Sequence, residues 1–325
     1  MLLSLGLIAI GFVFLVWGAD RFIAGAAATA RNLGVSPLII GLTVIGFGTS
    51  APEMVVSGVA ALRGNPGLAV GNAIGSNIAN IALILGVTAC IYPLQVHSNT
   101  LKREYPILLV VTLTALFLMV DGALGRFDGG FLLFGLLAMT TWMALIGMQR
   151  GGPDPIAAEF ASEIPSDMST PVAMGWLGLG MIVLPASSHI LVLGAVDVAN
   201  RMGVSDAVIG LTIVAIGTSL PELAAGIASV LKREHELVIG NIIGSNMFNL
   251  MGVLGIAATI RPTDVPDELI YRDYFIMLFL SMMMFLMAYG FRGPGRISRR
   301  SGIILVTMFV AYQSLVFYTE VSRSA

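Results

Sequence analysis

Gly48-Thr49-Ser50-Ala51-Pro52-Glu53 interrupts a strongly apolar segment, and Gly217-Thr218-Ser219-Leu220-Pro221-Glu222 does the same 169 positions later (222 − 53). Each copy places a carboxylate and two hydroxyls beside a proline. An acid inside a membrane costs roughly 2.5–3.5 kcal/mol even on lenient insertion scales, so it is read as functional by default. Two acids in matched settings read as the halves of one site.

The register extends well beyond the hexapeptides. At the same offset Gly25 meets Gly194, Gly34-Val35-Ser36 meets Gly203-Val204-Ser205, and Gly41-Leu42-Thr43 meets Gly210-Leu211-Thr212. Further on, Gly71-Asn72 meets Gly240-Asn241, Gly75-Ser76-Asn77 meets Gly244-Ser245-Asn246, Asn80 meets Asn249 and Pro93 meets Pro262. Chance likeness between apolar segments would align Leu, Val and Ala, not Asn, Ser, Pro and Glu. The chain is an internal duplication.

Composition sets the solvent. Of 325 residues 57% are hydrophobic and 11% charged, and the mean hydropathy is +0.91. Soluble domains carry about 25% charged residues. The chain is a polytopic membrane protein, and spans of about 20 apolar residues predict helices at 2–24, 37–61, 67–92, 105–121, 128–149, 170–195, 206–231, 236–260, 272–291 and 302–319. The expected fold is an all-α membrane protein of ten transmembrane helices in two five-helix repeats, 1–149 and 170–325, joined by a polar linker at 150–169. Five helices is an odd number, so the second repeat enters the membrane inverted. Inverted repeats with matched polar interruptions point to a secondary transporter with its site at mid-membrane.

Eleven of the 17 Lys and Arg residues fall on one side of this plan, which the positive-inside rule makes cytoplasmic. Both termini are then outside and the linker inside. The N-terminus lacks a positive n-region and reads as a retained first helix, with cleavage near Ala26–Ala28 as the alternative. The lone Cys90 allows no internal disulfide. No basic cluster suggests nucleic acid, and no obligate protein partner or cofactor is indicated.

Thr49 and Ser50 precede Glu53 by four and three residues, so all three share a helix face. Pro52 has no N–H for the Gly48 carbonyl four residues back. In lipid that carbonyl needs another partner, and a cation is one. Helix 7 repeats the arrangement, with Ala215 in place of Gly46. In helices 3 and 8, Asn72, Ser76 and Asn80 form one polar stripe, and Asn241, Ser245 and Asn249 repeat it. Asn77 and Asn246 lie off these stripes and suit helix-to-helix hydrogen bonds. The repeated glycines suit close helix packing. His97, His189 and His235 fall near helix ends, and Met282–Met287 reads as apolar filler.

Every group on the stripes offers oxygen, which selects hard cations over zinc or copper. Two carboxylates neutralise one Ca²⁺. Calcium takes 6–8 oxygens in flexible geometry, whereas Mg²⁺ sheds water reluctantly and wants a strict octahedron. Sodium could use the same glutamates with the Ser and Asn oxygens. Two ions competing for one pair of carboxylates, with alternating access, give antiport. A proton-coupled exchanger and a passive cation channel are the alternatives. The repeated motifs hold no nucleophile with its base, so an enzyme is not expected.

These residues resemble the calcium/cation antiporter superfamily, most closely its bacterial sodium/calcium exchanger branch. Its signature pairs a Gly-Thr-Ser-x-Pro-Glu helix with a Gly-Ser-Asn-x-x-Asn helix in two inverted repeats, and both halves here carry it in full. The proton-driven calcium branch usually has Gly-Asn-x-x-Glu instead. The resemblance implies Ca²⁺/Na⁺ exchange across a bacterial cytoplasmic membrane, normally extruding Ca²⁺. It implies that Glu53 and Glu222 are the central carboxylates and that Thr49 and Thr218 give backbone carbonyls to Ca²⁺. Ser50, Ser76, Asn80, Ser219, Ser245 and Asn249 match sodium-site residues, and the carbonyls of Gly46 and Ala215 match outer sodium ligands. The helices ending near Asn32 and Arg201 match the pair held to slide across the other eight.

One departure concerns Asn249, where some relatives, including potassium-dependent ones, carry an acid. The site here lacks that charge, which argues against potassium dependence. The short linker also lacks the large calcium-sensing domains of animal exchangers.

Overall fold

A computed structural model of the chain describes residues 1–35, 40, 46–96, 99–149, 161, 164–289 and 295–324. Most of the 150–169 linker, the start of the helix expected at 37–61 and His97 lie outside these residues. The helices are α1 (Leu2–Asn32), α2 (Gly46–Thr49), α3 (Ala51–Leu62), α4 (Pro66–Ile91), α5 (Asn99–Met119), α6 (Arg126–Gln149) and α7 (Thr170–Met202). They continue as α8 (Asp206–Lys232), α9 (His235–Ile260), α10 (Leu269–Ala288) and α11 (Arg299–Ser324). Among the described residues seven helices are long and apolar enough to cross a membrane, and Ala51–Leu62 and Glu104–Met119 are shorter apolar helices.

The burial pattern is that of a protein dissolved in lipid. Leu2, Phe117 and Phe127 are 87%, 75% and 84% exposed, whereas Glu53, Asn72, Ser76, Asn80 and Asn249 are 0% exposed. Apolar side chains face outward and polar ones inward, because lipid solvates the former and only protein can pair the latter.

Helices α1 and α7 pack along most of their length, and small residues bring their backbones together. A Cβ on Gly25 would come within 2.6 Å of the Ala173 carbonyl, and one on Gly194 within 2.7 Å of that of Ser4. The pair is also tied at both ends. The Ser4 hydroxyl donates to Asp197 and the Arg31 guanidinium to the Pro165 carbonyl. Asn32 Nδ2 donates to the Met168 carbonyl and to Thr170 Oγ1, both at 3.1 Å.

Both helices outrun the expected ends at 24 and 195, so Arg31 and Arg201 also lie within them. A helix longer than the hydrocarbon thickness is accommodated by tilt, and charge alone does not mark its end. Among the described residues, π-helical turns that were not expected stand at Ala79–Ile84, Gly210–Val214, Asn249–Val253 and Leu269–Tyr274.

Short strands join loops expected on the same membrane face. β1 (Leu94–Val96) pairs antiparallel with β4 (Gly295–Ile297), and β2 (Ala123–Leu124) with β3 (Thr263–Asp264). The predicted plan puts the first pair on one side and the second on the other. Polar ties agree with it. Asn65 Nδ2 donates to Asp206 at 2.6 Å, and the Ser205 N–H to Glu320 at 2.8 Å, on the face opposite the Arg31–Pro165 contact.

Candidate functional site

Each hexapeptide breaks its helix at the serine. Ser50 (φ −87°, ψ 1°) separates α2 from α3, and Ser219 (φ −84°, ψ 6°) interrupts α8 in the same way. The ladder resumes two residues past each proline, where the N–H groups of Met54 and Leu223 donate to the carbonyls of Ser50 and Ser219. Glu53 and Glu222 therefore stand in the first turn of the helical segments that follow the breaks. The positive end of a helix dipole favours a carboxylate there. Glycine lets side chains of α1 approach both breaks closely. A Cβ on Gly48 would meet Ile23 at 2.5 Å, and one on Gly217 would strike the Phe12 ring.

The two breaks meet at the centre of the molecule with the middles of α4 and α9. Ser219 Oγ donates to Glu53 Oε1 at 3.3 Å, joining the two repeats. Ser245 Oγ donates to Glu222 Oε1 at 3.5 Å. Thr49 Oγ1 donates to the Gly46 carbonyl at 3.2 Å and to Asn241 Oδ1 at 3.1 Å, and lies 3.2 Å from Ser245 Oγ. Thr218 Oγ1 donates to Asn72 Oδ1 at 3.1 Å and to the carbonyls of Val214 and Ala215. Ser76 Oγ donates to Asn72 Oδ1 at 3.3 Å. All twelve residues singled out from the sequence thus lie on the two broken helices or on α4 and α9 beside them.

Five buried oxygens here have no hydrogen-bond partner: Glu53 Oε2, Glu222 Oε2, Ser50 Oγ, Asn80 Oδ1 and Asn249 Oδ1. A buried oxygen left this way costs about 1–3 kcal/mol, and more when charged. All five come from candidate residues, and both repeats contribute. Their chemistry fits a hard cation.

Asn72 is different in kind. Its Nδ2 donates to Ser57 Oγ at 3.0 Å and to the Glu53 carbonyl at 3.5 Å, while its Oδ1 accepts from Thr218 and Ser76. It braces the first turn of α3. Ser57 was not singled out from the sequence, since its counterpart is Gly226 and the repeat comparison gave no match there.

A cavity of ≈ 380 Å³ begins at Gly46, Thr49, Asn241 and Gly244 and reaches Ala27, Glu104, Pro165 and Leu237. One wall is α1 and the other the second half of α8, with Ala224, Ala225 and Ala228. The repeat-related positions Val55, Val56 and Val59 instead belong to an apolar cluster that also holds Val192 and Val196. The glycines record the same asymmetry. A Cβ on Gly75 would lie 2.7 Å from Ala215 and Leu211, but one on Gly244 would meet nothing within 4 Å.

These features define a helical membrane protein built around an oxygen-lined centre with a cavity beside it. A family model described as sodium/calcium exchanger protein matches residues 3–145 and 172–318, and the chain belongs to that family. It is 45% identical over 317 residues to the putative antiporter CaxA of Alkalimonas amylolytica, covering 98% of this chain and 99% of that one. It is 41% identical over 321 residues to the inner membrane protein YrbG of Escherichia coli, covering 98% of each. Among solved structures it resembles the sodium-calcium exchanger NCX_Mj soaked with Na⁺ and Sr²⁺, with a TM-score of 0.66 and 29% identity over 95% of this chain and 97% of that one.

Proposed function

We propose that this chain is a secondary antiporter that exchanges Ca²⁺ for Na⁺ by alternating access around Glu53 and Glu222. In this reading ten transmembrane helices form two inverted halves, 1–149 and 170–325, with both termini outside and the cavity open to the cytoplasm. The observation that carries it is the set of five buried, unpartnered oxygens contributed by both repeats. Two buried carboxylates, each with an oxygen that no protein group pairs, call for a cation. Ca²⁺ would take the glutamates together with the carbonyls of Thr49 and Thr218. Na⁺ would use the same glutamates with Ser50, Ser76, Asn80, Ser219, Ser245 and Asn249 and the carbonyls of Gly46 and Ala215. Because both ions need Glu53 and Glu222, one must leave before the other binds, and that competition couples the fluxes.

The names of the relatives support the reading, since they include an antiporter and sodium/calcium exchangers. The test is Ca²⁺ uptake into sodium-loaded proteoliposomes diluted into sodium-free buffer, with and without external K⁺. Uptake that requires the outward sodium gradient and ignores K⁺ supports it. Uptake driven by a proton gradient without sodium would replace Na⁺ by H⁺ as the coupling ion. Flux without any counter-ion would make the protein a channel.

A further inference from the structure

Asn77 and Asn246 face each other across the seam between the repeats, both 1% exposed. Asn77 Nδ2 donates to the backbone carbonyl of Asn246 at 3.3 Å, which turns Asn77 Oδ1 away from that carbonyl. Asn249 Nδ2 donates to Asn77 Oδ1 at 3.1 Å. In the partly mirrored relation, Asn80 Nδ2 donates to Asn246 Oδ1 at 3.0 Å, while Asn246 Nδ2, unlike Asn77 Nδ2, has no partner. Each candidate ligand is therefore gripped through its amide nitrogen by an asparagine of the other repeat. A carboxamide has its donors on one side and its acceptor on the other, so fixing the nitrogen fixes the oxygen. The oxygens so fixed, Asn80 Oδ1 and Asn249 Oδ1, are two of the five without partners. The π turns Ala79–Ile84 and Asn249–Val253 include Asn80 and Asn249 themselves. Such turns are frequent at functional sites.

We propose that Asn77 and Asn246 are positioning residues that hold the amide oxygens of Asn249 and Asn80 toward the cation, each acting on the opposite repeat. The arrangement also specifies the residue it holds. Asn77 presents an acceptor to position 249, so an aspartate there would set oxygen against oxygen at about hydrogen-bond distance. Turning the Asn77 amide to relieve this would break its bond to the Asn246 carbonyl. The outer pair thereby selects a neutral amide at 249 and keeps the centre at two carboxylates. Because each asparagine grips the other half, the two repeats supply matched oxygens only while their seam stays in register.

This rests on the cation-exchange reading of the site, and the experiment separates the two. The KM for Ca²⁺ is measured in sodium-loaded proteoliposomes for Asn77→Ala, Asn246→Ala, Asn80→Ala, Asn249→Ala and their cross-repeat doubles. Each single variant is expected to raise KM roughly three- to tenfold, the worth of one hydrogen bond. The doubles carry the decision through their coupling. Asn77→Ala is expected to add nothing to Asn249→Ala but to multiply with Asn80→Ala, and Asn246→Ala to show the reverse. Asn77→Ser and Asn246→Ser, which retain an acceptor, are expected to recover part of the lost affinity, and they replace the alanine variants in the cycles if those do not insert. Equal multiplication with both partners, or loss of folded protein at unchanged KM, overturns the positioning role and leaves the exchange reading standing. Wild-type KM in both Asn80→Ala and Asn249→Ala overturns the site reading, and this proposal with it.

Discussion

The Thr49 hydroxyl donates to Asn241 at 3.1 Å, and Thr218, its counterpart 169 positions on (218 − 49), donates to Asn72 at the same distance. Each bond links the broken helix of one repeat to the polar stripe of the other. Their surroundings differ, because Asn241 lines the cavity whereas Asn72 is 0% exposed. Water can replace a lost partner at Asn241, whereas Asn72 Oδ1 would be left with Ser76 Oγ, at 3.3 Å, and no access to water. Thr218→Val should therefore cost about 1–2 kcal/mol and Thr49→Val less than about 0.5 kcal/mol. Thermal melts of the purified protein in detergent check this, and equal losses would mean that the cavity is dry.

Glu53→Gln and Glu222→Gln keep the shape of the side chain and an oxygen that can accept from Ser219 or Ser245. Folding should be spared. The charge that balances a divalent cation is lost, however, and neither variant has a second carboxylate in the ring of oxygens to replace it. Each should reduce Ca²⁺ uptake to the level of empty vesicles while inserting normally. Near-normal uptake by either would remove that glutamate from the site.

Much of this centre was legible because duplication made it so. Glu, Ser, Thr and Asn at one fixed offset could not be packing noise, and those residues meet at the breaks and along α4 and α9. What escaped the sequence is instructive. Asn77 and Asn246 were read as helix-to-helix residues, which their bonds bear out, but periodicity cannot tell whose amide they hold. The π turns widen the helix at Asn80 and Asn249, so an ideal 3.6-residue stripe does not describe how those side chains project. Ser57 was hidden because its repeat partner is glycine. The repeat itself runs further than the polar match to Pro93 and Pro262 suggested. Arg103-Glu104-Tyr105 and Arg272-Asp273-Tyr274 stand at the same offset, with Glu104, Tyr105, Asp273 and Tyr274 all buried.

The second of these clusters gives a stability prediction. Asp273 is 0% exposed and accepts from Arg272 Nε at 2.8 Å, from Arg272 Nη2 at 2.9 Å and from the Tyr312 hydroxyl at 3.0 Å. Arg272 Nη1 also donates to Thr319 Oγ1 at 2.7 Å, which ties α10 to α11. Removing one partner of a buried ion pair typically costs 3–5 kcal/mol, because the other charge is left uncompensated. Asp273→Ala should approach that loss, and Asp273→Asn should lose less, since its amide oxygen still accepts. The cluster is distinct from the central oxygens, so the folded fraction should keep its KM for Ca²⁺. A changed KM with an unchanged melting temperature would reassign Asp273 to the transport path.

The last prediction concerns which way the site faces. Ala224, Ala225 and Ala228 line the cavity, whereas Val55, Val56 and Val59 at the related positions belong to an apolar cluster with Val192 and Val196. Methyl-deep packing on one side and open space on the other favour one access state, because closing the alanine side gains less apolar burial than closing the valine side. With Cys90 replaced by serine, a cysteine at Ala228 should react with a membrane-impermeant thiol reagent only from the face that carries Pro165. A cysteine at Val59 should stay protected. Adding Ala225→Val and Ala228→Val together supplies the missing methyl groups and should promote closure of the cavity. At about 0.8 kcal/mol per buried CH₂, those extra groups are enough to shift a two-state population by more than tenfold. Labelling of the Gly244→Cys variant at the cavity head should then slow in that background. Unchanged labelling there would mean that side-chain volume on the two faces does not set the resting state, and that the ions alone do.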